Sequence, residues 1–269
     1  MTDCLMDKRD DGVALITLNR PDHLNAVSAE LQKLLADYLR NCEQDPTVRC
    51  VALTGAGRGF CAGGDVKQQS ASASDQTQPA RPTFEQKVAS LQKGHMQISH
   101  TLHTMAKPVV ALVNGPAAGA GLSVALACDI RICSDKASFH TAFAKVGLSG
   151  DYGGSYYLQR LIGYGRAIEL YFTGERVSAE RALALGIANH VIGHDRFMAE
   201  GIAYCARLAA GPTRAYGNMK ANFNIAERAT LEDALAQEAT TMIASGTTSD
   251  HREGALCFVE RREPKFTGH

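Results

Sequence analysis

Apolar positions along the chain change period several times, and the changes mark the elements. Val13-Ala-Leu-Ile-Thr-Leu-Asn19 is dense in strand formers and stops at Arg20-Pro21. From Ser28 the spacing turns helical, with Leu31, Leu34, Leu35, Tyr38, Leu39 and Cys42 on one face. Ser28 is the expected N-cap, Glu30 suits the positive end of the helix, and Pro46 ends the pattern. Val48–Thr54, Lys107–Val113 and Asp129–Cys133 are further strand-like runs. Helices are expected over Phe84–Met105 and over Gly119–Cys128, the latter built of small residues suited to close packing. Ahead of the first of these helices, Gln68–Pro82 carries almost no large apolar side chain and is expected to be a mobile loop.

After residue 151 the pattern is nearly all helical. Short helices are expected over Ser155–Ile162, Arg166–Phe172 and Ser178–Leu185, broken at glycines. From His194 onward the chain reads as helix, and Thr230-Leu-Glu-Asp233 has the form of a capping box. Alternating strands and helices followed by helices alone predict an α/β core, 1–193, with a helical C-terminal extension, 194–269.

Charge narrows the partners. Lys plus Arg and Asp plus Glu both number 28, so the net charge is zero. A dominant electrostatic partner, such as nucleic acid or an anionic membrane, is therefore not expected. No apolar run approaches the roughly 20 residues of a membrane span, and Met1–Asp10 lacks the apolar stretch of a signal peptide. The eight cysteines form no Cys-x-x-Cys pair and sit mostly in apolar stretches, which predicts buried free thiols in a cytoplasmic protein. His100 and His103 lie one helical turn apart without a third ligand, so no metal site is expected.

Candidate chemistry lies in three glycine-rich turns. Phe60-Cys-Ala-Gly-Gly-Asp65 follows one strand, and Asn114-Gly-Pro-Ala-Ala-Gly-Ala-Gly121 leaves another and opens a helix. Such turns bare main-chain N–H groups, and a helix N-terminus adds the positive end of its dipole. Together they suit a developing oxyanion, although tight packing alone would also use such glycines. The third turn, Gly147-Leu-Ser-Gly-Asp-Tyr-Gly-Gly-Ser155, carries a carboxylate, Asp151.

These segments make the chain similar to the crotonase superfamily, the enoyl-CoA hydratase/isomerase family. The likeness runs in order through Ile16–Ala26, Gly59–Asp65, Lys107–Gly121, Cys128–Arg131, Gly153–Ser155, Phe172–Glu175, Ala184–Ala188 and Arg261–Phe266. It implies a crotonase-like spiral of ββα units, with C-terminal helices that build a homotrimer or a dimer of trimers. It implies an acyl-CoA thioester substrate, with coenzyme A as part of the substrate and no separate cofactor. By motif position the oxyanion donors are the N–H groups of Gly64 and Ala120. Substrate contacts fall on His23, Leu24, Ala26, Ala62, Asp65, Val66 and Gly119. His140 and Phe143 line the acyl end, and Lys265 and Arg58 are candidates for the CoA phosphates.

The resemblance also locates a departure. Hydratases of the family hold water with two glutamates, whose places fall here on Ser123 and Phe143. Asp151 instead matches the acid/base of the double-bond isomerases, including the ring-opening isomerases of phenylacetate degradation. The expected activity is therefore a shift of a C=C bond in an enoyl-CoA, with Asp151 oriented by Tyr152 or Tyr156. Hydration of a 2-enoyl-CoA and non-catalytic acyl-CoA binding are the alternatives.

Overall fold

The computed structural model describes residues 2–64 and 82–269. Asp65, Val66 and all of the expected loop except Pro82 lie outside the described residues.

A six-stranded sheet forms the centre. Its strands are β1 (Cys4–Lys8), β2 (Val13–Leu18), β3 (Cys50–Gly55), β4 (Val109–Val113), β6 (Ile130–Ser134) and β9 (His190–Ile192), in spatial order β1-β2-β3-β4-β6-β9. Only β1 runs antiparallel to its neighbour. Strands β3 and β4 are buried throughout, as strands covered on both faces must be. One cover is α1 (Ala29–Gln44), which turns Leu31, Leu35, Leu39 and Cys42 inward; Ser28 caps it by accepting the Leu31 N–H at 3.0 Å. On the opposite face Phe197 and Cys205, from the helix Phe197–Ala209, pack against Val13, Cys50, Val110 and Leu112.

A second layer explains the site. The short strands β5 (Pro116–Ala118), β7 (Ser138–His140) and β8 (Val177–Ser178) form a separate sheet. β4 neighbours β6 in the first sheet, and β5 neighbours β7 in the second, so each pass of the chain adds one strand to each layer. The column continues as single bridges, Cys61 with Ala117 and Val27 with Gly64. Every segment with candidate chemistry before residue 145 therefore sits at one level of a two-layer spiral. Three-residue strands carry too little periodicity to be read in advance, and polar Asp7 and Lys8 obscure edge strand β1.

The helix expected over Phe84–Met105 is present but interrupted. α2 (Phe84–His95) is capped by Thr83 and Gln86, widens into a π-helical turn at Met96–His100, and continues as one α-helical turn to Thr104. The helix after the second glycine turn, α3 (Ala120–Ala127), is buried on all sides. Next come α4 (Gly154–Ile162), α5 (Tyr164–Thr173) and α6 (Ala179–Leu185). Four more helices, α7 (Phe197–Ala209), α8 (Thr213–Ala226), α9 (Leu231–Gly246) and α10 (Ser249–Glu260), complete the chain; Thr230 and Asp233 form the expected capping box on α9. No described helix is long and apolar enough to cross a membrane.

Candidate active site

The first two glycine turns meet edge to edge. Phe60 and Cys61 N–H groups donate to the Pro116 carbonyl at 3.0 and 3.2 Å, and the Ala118 N–H returns a bond of 2.9 Å to Cys61. Gly63 sits at φ +90°, where a side chain is strained. A Cβ there would lie 2.7 Å from the Ala118 carbonyl oxygen and 3.2 Å from the Ala120 nitrogen. Gly121 is equally confined, since its Cβ would come within 2.6 Å of the Cys61 Cβ. These glycines are what bring the two turns together.

Peptide planarity then aims the donors. In a trans peptide the C=O and the following N–H point in opposite directions. The Gly63 carbonyl is committed to the Val27 N–H at 2.7 Å, so the Gly64 N–H faces away from that strand. The Gly119 carbonyl accepts the Ser123 N–H at 3.0 Å, so the Ala120 N–H leaves α3 at its open N-terminal end. Among the described residues neither N–H has a protein acceptor. Gly119 itself, at φ +50°, donates to the His140 carbonyl at 3.0 Å.

Two buried asparagines brace this arrangement. Asn25 accepts the Arg20 N–H and donates to the Ala56 and Gly59 carbonyls at 2.9 and 2.8 Å. Asn114 accepts the Gly55 N–H and donates to Gly57 and Gly59. Each satisfies main-chain groups that the sharp turn strips of ladder partners. Both lie within the family-like segments, where nothing local marks an asparagine as a brace rather than a turn former.

Of the predicted substrate contacts, Leu24, Ala26 and Ala62 share one stretch: the Ala62 N–H donates to the Leu24 carbonyl at 2.9 Å. His23 is exposed on the short turn Pro21–His23. Phe143 is buried and stacks on Tyr171, with ring centroids 6.0 Å apart. His140 is half-buried, and burial followed by the charges of Arg176 and Lys145 lowers its pKa. Lys265 is exposed on the tail, where its N–H donates to Glu253 at 3.0 Å; no described contact ties it to the glycine turns. Of the neighbouring aromatics, Phe84 is exposed and Phe139 belongs to the core.

Asp151 lies on a turn of unusual backbone. Gly150, Tyr152 and Gly153 all have positive φ, and Tyr152 pays for it as a non-glycine. Asp151 Oδ1 is buried and has no hydrogen-bond partner among the described residues. Desolvation pushes the carboxyl pKa up to about 6. The Cys61 thiol is raised to about 11 by burial, with the Asp151 charge adding to the effect, and the Tyr171 phenol to about 12 in the same way. Those couplings place Asp151 close to the first glycine turn on one side and to α5 on the other. Tyr171 also flanks the Asp151 turn, its ring 3.1 Å from where a Gly150 Cβ would stand. As one apolar position in a helical pattern, it gave no advance signal.

The orienting role expected of Tyr156 does not hold: its hydroxyl bonds Glu227. Tyr152 packs its ring on His95, and its main-chain N–H and carbonyl bond His95 and Ser99. Ser123 is buried and donates to the Gly119 carbonyl at 3.2 Å, an ordinary back-bond within its helix. His103 pairs with Glu227 at 3.4 Å, and no described group of three or more His, Cys, Asp or Glu could hold a metal.

The chain belongs to the enoyl-CoA hydratase/isomerase family. That family's model matches residues 8–269. The chain is 39% identical to a 1,2-epoxyphenylacetyl-CoA isomerase from Escherichia coli K12, covering all of both chains. It is 34% identical to a Rhodobacter capsulatus protein named as a probable enoyl-CoA hydratase, over 96% of this chain and 95% of that one. A crystal structure of an enoyl-CoA hydratase from Polaromonas sp. JS666 superposes with a TM-score of 0.88 at 32% identity, covering 98% of this chain and 99% of the other.

Proposed function

We propose that this protein shifts a C=C bond of an enoyl-CoA, with Asp151 as the single acid/base. The observation that carries the reading is the buried, unpartnered Oδ1 of a carboxyl whose pKa is raised to about 6. A base near the working pH is both available and strong enough to take a proton. In this mechanism Asp151 removes a proton from the acyl chain. The N–H groups of Gly64 and Ala120 hold the resulting dienolate oxygen, and Asp151 returns the proton two carbons along. One carboxylate suffices when both carbons present the same face to it.

Hydration of a 2-enoyl-CoA is the second reading, favoured by relatives that carry hydratase names. It lacks support at Ser123 and Phe143, the two places where the hydratase pattern puts glutamates. The likeness to a 1,2-epoxyphenylacetyl-CoA isomerase adds that thioester as a second substrate to assay. Assembly into a trimer or dimer of trimers fits the C-terminal helices, where Phe223, Leu231, Met242, Ile243, Phe258 and Val259 are 70–87% exposed.

The test is conversion of 3-enoyl-CoA to the conjugated 2-enoyl thioester, followed by absorbance, for wild type and Asp151→Asn. The expected result is turnover by wild type and a loss of about 10²–10⁴-fold in kcat with Asn. Undiminished turnover by Asp151→Asn would remove the carboxylate from the mechanism. Binding without turnover by wild type would leave an acyl-CoA binding protein.

A further inference from the structure

Asp151 is positioned from a distance in sequence. Tyr152, next to it, holds a left-handed backbone at φ +48°, between Gly150 and Gly153, which are also at positive φ. For a residue with a Cβ that conformation is strained, and such strain persists only where the surroundings over-determine it. Here both main-chain polar groups of Tyr152 are held by side chains. Its N–H donates to His95 Nε2 at 3.1 Å, and its carbonyl accepts from the Ser99 hydroxyl.

His95 ends α2, and Ser99 lies inside the π-helical turn that follows. Single π turns inside α-helices recur where a helix must present a side chain at a special angle. Ser99 and Tyr152 are each 4% exposed, and His95 is half-buried. The His95 and Tyr152 rings also pack at 4.7 Å between centroids. Gly94 makes room for the Tyr152 hydroxyl, which lies 3.3 Å from where a Gly94 Cβ would stand. On its other side the turn is closed by the Gly154 N–H, which donates to the Asp151 carbonyl at 3.1 Å.

We infer that His95 and Ser99 are positioning residues for Asp151: they clamp the main chain of Tyr152 in its strained conformation and so aim the neighbouring carboxylate into its donor-free position. The inference rests on Asp151 being the acid/base. His95 serves through the lone pair of Nε2, so the neutral imidazole with its proton on Nδ1 is the working form; burial, which lowers the His95 pKa, favours it. Without the clamp the Asp151 turn relaxes, and the carboxylate gains water or main-chain partners.

The experiment compares kcat, KM and the pH profile of 3-enoyl-CoA isomerisation for His95→Phe, His95→Gln, Ser99→Ala, Asp151→Asn and wild type, with thermal unfolding beside them. Phe keeps the ring packing and removes the acceptor, whereas Gln restores an acceptor oxygen. His95→Phe and Ser99→Ala are expected to lower kcat about tenfold or more with KM within about twofold. They should also move the midpoint of the pH profile below that of wild type, as the carboxylate regains hydration. Among the described groups facing Asp151, Cys61, Tyr152 and Tyr171 have pKa values raised by burial, well above that midpoint; His95, whose pKa burial lowers, is the one nearby group that can titrate near it, and His95→Phe removes that contribution. His95→Gln should recover most of the loss. An unchanged kcat and midpoint in both His95→Phe and Ser99→Ala, even with a lower melting temperature, would overturn the inference. Should His95→Phe not fold, Ser99→Ala decides alone. Full activity in Asp151→Asn would instead sink the acid/base reading itself, which separates the two failures.

Discussion

The glycine-turn side of the site is main chain held by main chain, whereas the Asp151 side is strained backbone held by side chains. On the first side, the carbonyls of Gly63 and Gly119 are fixed by Val27 and Ser123, and planarity aims the next N–H groups. Apart from the bracing amides of Asn25 and Asn114, little there depends on any particular side chain beyond the lack of one at Gly63 and Gly121. On the second, His95 and Ser99 come from some fifty residues upstream and Tyr171 from twenty downstream of Asp151. The contrast fits the two tasks. An oxyanion hole needs fixed dipoles, while a base needs an environment that raises its pKa, and only packed side chains from several elements can supply that.

Apart from removing the carboxylate itself, breaking the main-chain side should have the largest effect. Gly63→Ala forces a Cβ against the Ala118 carbonyl and the Ala120 nitrogen at an unfavourable φ. The expected outcome is a fall in kcat of about 10²–10³-fold, the scale of losing one oxyanion donor, with roughly 2 kcal/mol less stability. Steady-state kinetics with denaturant unfolding checks both. A variant with normal kcat would separate the donors from this turn.

The carboxylate side is sharpened by pH. Deprotonated Asp151 is the active form, so kcat/KM should rise with pH through about 6 and level off above it. Below that point the rate should drop about tenfold per pH unit. A midpoint near the ordinary carboxylate value of about 4 would mean that burial does not tune this group.

The smallest expected effect is on stability, and its sign is opposite to that on activity. A carboxyl raised from 3.8 to about 6 binds its proton more tightly in the folded state, so folding weakens as pH rises through that window. Asp151→Asn removes the buried charge. After discounting for partial exposure, the variant should be about 1–2 kcal/mol more stable than wild type at pH 7. The advantage should vanish below pH 4, where both carry a neutral side chain. Urea unfolding at pH 4 and pH 7 reads the difference, and an equal or lower stability of the Asn variant at pH 7 contradicts a desolvated carboxylate.

The same contrast explains what could be read from the residues alone. Strands β2, β3, β4 and β6 announced themselves through continuous apolar runs, and helix α1 through its spacing and Ser28 cap. The glycine turns were visible because local chemistry dictates them. The second sheet was not, since three-residue strands have no period. The π turn was hidden because Met96–His100 reads as ordinary helix, and its consequence is a contact with Tyr152, more than fifty residues away. Tyr156 looked as well placed beside Asp151 as Tyr152, but Tyr152 lies in the turn itself whereas Tyr156 lies inside α4, on a face turned to Glu227.

The most direct test of the central claim, that Asp151 moves a proton and not water, is mass spectrometry of products formed in heavy-oxygen water from 3-enoyl-CoA and 2-enoyl-CoA. The account predicts that 3-enoyl-CoA becomes 2-enoyl-CoA with no gain of labelled oxygen, and that Asp151→Asn abolishes the conversion. Labelled oxygen entering the 2-enoyl substrate at a comparable or faster rate would make the protein a hydratase and contradict the argument from Ser123 and Phe143.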